Sequence, residues 1–97
     1  MPSSDNELEH LKKLLLRGDR PPDEAIWAAY EDLCVHCGGP AQAIHELIPR
    51  SLAPEGWNYF LNRVTLCLAD HEWAQEGPLD KALQLRSEAN VLLNVDA

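Results

Sequence analysis

Three cysteines and the residues that follow the last of them constrain this chain more than anything else in it. Cys34 and Cys37 are separated by two residues, and thirty residues further on Cys67 is followed by Asp70 and His71. Two thiols at the first spacing can face one ion, and Gly38-Gly39 directly after them permits the tight knuckle this requires. Cys67 and His71 are four apart, so on a helix they share a face and could close a tetrahedral zinc site of Cys34, Cys37, Cys67 and His71. Asp70 is the alternative fourth ligand, at the spacing a second Cys-x-x-Cys would use. Thiolate-rich sites prefer Cys or His, which favours His71. A thioredoxin-like redox pair would need an alternating strand and helix context that this sequence lacks.

Such a staple suits the size of the chain. With 97 residues it should bury roughly 60–70% of the surface its unfolded form exposes, which makes a thin core. A composition of 45% hydrophobic and 25% charged residues is apolar enough to fold. The longest apolar run covers only 25–30, far short of the roughly 18–20 residues of a membrane span, so no membrane partner is expected. The N-terminal segment is polar and acidic where a secretory signal is basic and then apolar, and the odd cysteine count speaks against paired disulfides. Both point to a cytoplasmic address. The formal net charge of −8 opposes long-range attraction to nucleic acid or anionic lipid.

The pattern along the chain predicts one α+β domain over 1–97, with a helical part at 1–33, a zinc hairpin at 34–76 and a last helix within 79–97. Ser4 and Glu7 form a capping box, and Leu8, Leu11 and Leu15 continue a helix over 5–17 that Gly18 stops. Pro21 and Pro22 open a second helix whose face carries Ile26, Tyr30 and Leu33 and which runs into Cys34. Strands are expected over 43–48 and 63–66, antiparallel, with Pro49 ending the first. A helix over 67–76 and another over 79–93, broken by Gly77-Pro78, complete the chain. Ala82, Leu85, Ala89 and Leu92 form one stripe on the last helix, either an internal contact or a homodimer seam. His36 is expected to face solvent. Trp57 is read as a core residue, with stacking on a base or filling a partner's pocket as its alternatives.

Between the two metal half-sites the chain reads Ala43-Ile-His-Glu-Leu-Ile-Pro-Arg-Ser51, then a loop, then Asn62-Arg-Val-Thr-Leu-Cys67 and His71. Over Cys34 to Trp73 this resembles the HNH endonuclease family in its zinc-stapled ββα-metal branch. The resemblance implies that His45 binds a catalytic divalent cation such as Mg²⁺, Mn²⁺ or Ni²⁺, that His71 is its second ligand and that Asn62 braces the hairpin. Cys34, Cys37 and Cys67 fall on three structural zinc ligands, and Asp70 on the position of the fourth. Glu46 stands where the family places its general-base histidine, and an ordinary Glu, with a pKa of about 4.3, is a poor base near neutrality. If His71 completes the zinc site, no histidine remains beside His45 for the catalytic cation.

Two functions follow from different classes. One is an HNH-type endonuclease that cleaves DNA phosphodiesters slowly, with His45, Glu46, Asn62 and His71 around the chemistry and Arg50 and Arg63 clamping phosphates. The other is a catalytically silent, acidic zinc module that binds and regulates a protein partner. Residues 34–76 hold two basic and five acidic residues, so the hairpin shares the acidity of the whole.

Overall fold

Two four-residue strands lie at the centre of the molecule. In the computed structural model, which describes residues 4–94, β1 (Ala43–Glu46) and β2 (Arg63–Leu66) pair antiparallel, with Ala43 opposite Leu66 and Glu46 opposite Arg63. All four residues of β2 are buried, because helices cover it. Four α-helices accompany the hairpin among the described residues: α1 (Ser4–Leu15), α2 (Asp23–Ala29), α3 (Leu68–Gln75) and α4 (Pro78–Leu92). The fold is therefore α+β. No helix of the described residues is long and apolar enough to cross a membrane.

One core joins these elements. Leu11 and Leu15 from α1, Ile26 from α2, Val64 and Leu66 from β2, and Ala82, Leu85 and Ala89 from α4 are all buried in it. Each fully buried Leu, Ile or Val contributes about 1.5–3 kcal/mol, so the helical spacing of these positions is what packs α1 and α4 against the hairpin. Most of the stripe on α4 is thus spent inside the chain. Only Leu92 of that set reaches the surface, where Leu83 and Val91 are also exposed. The side chains of Ser4 and Asp5 lie outside the described residues, and with them the Ser4 capping box.

Two boundaries differ from expectation for identifiable reasons. The second helix ends at Ala29, because Glu31 and Asp32 both adopt positive φ, 55° and 59°, and such residues cannot continue a right-handed helix. Leu33 then pairs with Pro40, and the knuckle between them is an independent turn. The first strand ends at Glu46, where Leu47 and Ile48 turn into the core. Asn62 sets this turn. Its backbone carbonyl accepts from the Leu47 N–H at 2.8 Å, and its side chain accepts from the Ile48 N–H at 2.8 Å. The same amide donates to the carbonyls of Ile48 and Gly56, both at 3.2 Å. One buried side chain thereby closes the long loop between the strands.

Candidate metal centre and hairpin pocket

The knuckle is built by backbone hydrogen bonds that fold Cys34 and Cys37 toward one point. Cys34 N–H donates to Gly39 O at 2.7 Å, Gly38 N–H donates to Cys34 O at 2.8 Å, and Gly38 takes a φ of 82° that favours glycine. Behind it, Val35 N–H donates to Thr65 O at 3.0 Å and the Thr65 hydroxyl donates to Leu33 O at 2.7 Å. The knuckle therefore rides on β2. Cys67 follows that strand directly, so its thiol arrives beside the other two without any long connection.

Cys34, Cys37, Cys67 and Asp70 form a cluster whose ligand atoms all lie within 4.8 Å of one another, and it could hold a metal ion. The Sγ atoms of Cys37 and Cys67 are 3.9 Å apart, and Cys34 Sγ lies 3.2 Å from Asp70 Oδ2. Sulfurs about 2.3 Å from a tetrahedral ion stand about 3.8 Å apart, so these separations fit one ion at the centre. Gly39 N–H donates to Cys37 Sγ at 3.4 Å, and Cys37 N–H donates to Cys34 Sγ at 3.5 Å. Without a cation the Cys37 thiol resists ionisation. The Gly39 amide is the largest influence on the Cys37 thiol and favours its thiolate, but Cys34, desolvation, Cys67 and Asp70 together push it up to about 11. A bound cation would reverse that balance.

Asp70, not His71, therefore stands with the thiols. The helical argument for His71 fails because Cys67 is not in the helix: its φ of −69° and ψ of 165° are extended, and it caps α3 from outside. With Cys67 outside, face-sharing at four residues does not apply. Asp70 and His71 lie in the first turn of α3 about 100° apart, and they diverge toward different neighbours. The imidazole of His71 meets that of His45, with ring centroids 5.2 Å apart and planes at 73°.

His45 is the buried member of this pair, 4% exposed, and its Nε2 has no hydrogen-bond partner. Burial first, and the nearby His71 second, push its pKa down to about 4, so the ring is neutral at pH 7 with a lone pair to offer. It lines a pocket of about 380 Å³ together with Glu46, Arg50, Ser51 and Gln75. Glu46 Oε1 accepts from Arg50 Nε at 2.9 Å, while its Oε2 is buried and unpartnered. Arg50 is exposed at the rim. His45 thus lines the cleft from the strand, with the ring of His71 beside it from the helix.

Three expectations are corrected here. Arg63 is not available to clamp phosphate: it is 3% exposed, and its guanidinium donates to Asp23 Oδ1 at 2.6 Å, to Asn58 O at 3.2 Å and to Pro21 O. It lies between β2 and α2, where burial requires such partners. Trp57 is 46% exposed and not in the core, since its loop turns outward after Gly56. His36 does not face open solvent. Its ring stacks on Trp73 with centroids 4.6 Å apart, and its Nδ1 lies 2.8 Å from Glu88 Oε1. No periodicity signals that tie, because its partners lie on α3 and α4, far along the chain.

Comparisons with protein-family models, with characterised proteins and with solved structures return no match.

Proposed function

We propose that this chain is an HNH-type hairpin nuclease, with structural zinc at the thiolate cluster and a divalent cation at His45 and His71, and that it cuts DNA phosphodiesters slowly. The observation that carries the reading is His45: a buried, neutral imidazole with an unpartnered Nε2, beside a second histidine and on the wall of a cleft it shares with Glu46 and Arg50. Zinc suits three thiolates and one carboxylate oxygen in tetrahedral array. A divalent cation at the histidines would lower the pKa of the attacking water and stabilise the leaving oxygen as the phosphorus–oxygen bond breaks.

The remaining roles fall to side chains already described. Asn62 holds the turn that follows His45, so it positions the histidine without touching substrate. Arg50 at the rim is the cation free to approach a phosphate once its bond to Glu46 opens. Glu46 stands in the general-base position of the resemblance where the family has histidine, and the low rate follows from that exchange.

The silent-module reading has one observation of its own. Glu46 is held by Arg50, and with Asp70 as fourth ligand the zinc cluster keeps a surplus of two negative charges, which adds to the acidity of the chain. Purified protein incubated with supercoiled plasmid and Mg²⁺, Mn²⁺ or Ni²⁺ separates the two. Nicking that His45→Ala abolishes is expected; one zinc per chain with no nicking under any cation would replace the nuclease with the silent module.

A further inference from the structure

Across Glu46 and Arg50 from the cation cleft lies a second pocket of about 190 Å³, lined by Ile44, Glu46, Arg50, Trp57, Arg63 and Asp23. Its walls come from one face of the hairpin. Glu46 is opposite Arg63 in the ladder, and Ile44 lies two residues before Glu46, so all three project to the same side. Trp57 adds an aromatic wall from the loop, with the Arg50 guanidinium 5.2 Å from its ring centroid.

Two buried polar atoms on these lining residues lack partners. Arg63 spends its terminal nitrogens on Asp23, Asn58 and Pro21, yet its Nε–H has no acceptor. Glu46 spends Oε1 on Arg50, yet Oε2 has no donor. Leaving a buried donor and a buried acceptor unpaired is costly, and here both belong to residues that line a pocket beside an exposed indole. A flat ring stacked on Trp57, with an acceptor and an N–H on one edge, would satisfy both atoms once the bond between Glu46 and Arg50 opens and uncovers them. That is the chemistry of a nucleobase. In a duplex the faces are covered by stacking and the pairing edge by the other strand, so only an unpaired base presents both.

We infer that this pocket takes an unpaired nucleobase of the DNA strand whose phosphate lies at the cation cleft. The inference rests on the nuclease reading and adds its substrate class, single-stranded or locally unpaired DNA. It also gives Glu46 a task in recognition. The acidity of the chain fits this better than duplex binding, because stacking on an aromatic side chain gains less from a strongly basic surface than groove binding does.

The test uses the full, zinc-loaded chain carrying His45→Ala, so that no strand is cut. Its binding is measured to a short labelled single strand, to the same strand in a duplex, and to the same strand with abasic positions. The intact single strand is expected to bind best. Adding Trp57→Ala should weaken it by about tenfold to a hundredfold, to the level of the abasic strand, whereas Trp57→Phe keeps most of the affinity. Equal binding of intact and abasic strands, or no effect of Trp57→Ala, would overturn the pocket. Nicking of plasmid by the unmodified chain is scored separately: Trp57-dependent strand binding without nicking removes only the cleavage reading, and nicking with no dependence on bases removes only the pocket.

Discussion

The hairpin carries one cluster that could hold a metal ion and, beside it, the histidine pair for which we propose a second cation, and the two are built in opposite ways. The thiolate cluster is prearranged: four ligand groups converge within one small volume, and backbone amides already donate to two of the sulfurs. The histidine pair is half-built, two rings from different elements with one orphaned nitrogen and space beside it. Closed coordination suits an ion that holds structure, and an open position suits one that must also hold water and substrate. Asp70 and His71 are neighbours in sequence, yet one belongs to each place. A single helical step divides the thiol cluster from the histidine pair.

Metal removal should expose this contrast most strongly. Chelation, or Cys34→Ser, is expected to lower the melting temperature by tens of degrees, read by circular dichroism, because a small domain loses much of its folding free energy with its structural ion. His45→Ala should leave the melt close to that of the unmodified chain in zinc and remove nicking. Equal melting with and without chelator would mean that the two places do not differ as described.

Restoring a histidine at the other place is the next largest effect. Glu46→His is expected to raise the plasmid nicking rate by about a hundredfold or more, since a base with a pKa near neutrality contributes about 10²–10⁴-fold. An unchanged rate would show that the base is not what limits this hairpin. The split between neighbours can then be sharpened directly. Asp70→Ala removes a ligand and should weaken zinc binding by about a hundredfold or more, since outer-shell changes alone cost roughly 10–100-fold, while His71→Ala keeps one zinc per chain and loses nicking. A competition titration with a zinc indicator reads the first, and loss of zinc in His71→Ala would reverse the assignment.

The smallest effect is one of pH. Free histidine titrates near 6.5 and His45 in the fold near 4, so as pH falls through this window the unfolded chain takes up a proton that the folded chain refuses. The stability that neutral His45 confers is full above 6.5 and is lost toward 4. Between pH 7 and pH 5 the unmodified chain should lose about 2 kcal/mol relative to His45→Gln, measured by urea unfolding. Parallel curves for the two proteins would place His45 in contact with water.

How much of this could be read beforehand depended on whether the deciding contact was local. The strand over 63–66 and the cysteine knuckle were legible, because alternation, glycines and ligand spacing are local signals. Leu47 and Ile48 were not, since an apolar pair reads equally as strand or as core and only the distant Asn62 turns the chain there. The choice between Asp70 and His71 hinged on whether Cys67 lay inside or outside α3. Donor preference pointed to histidine, and a capping conformation decided for aspartate. Trp57 and Arg63 were misjudged in opposite senses, because residue type alone predicts neither an exposed indole nor a buried guanidinium.

The tie from His36 reaches further than its size suggests. His36 sits inside the knuckle, between the thiols of Cys34 and Cys37, while its ring lies on Trp73 of α3 and its Nδ1 contacts Glu88 of α4. When the ion leaves and the knuckle loosens, the latch on the final helix loosens with it. Amide exchange along α4 should therefore follow metal occupancy at a centre to which that helix contributes no ligand. For a chain held together as proposed, its lifetime among proteases would be set by the free zinc around it as much as by its own core.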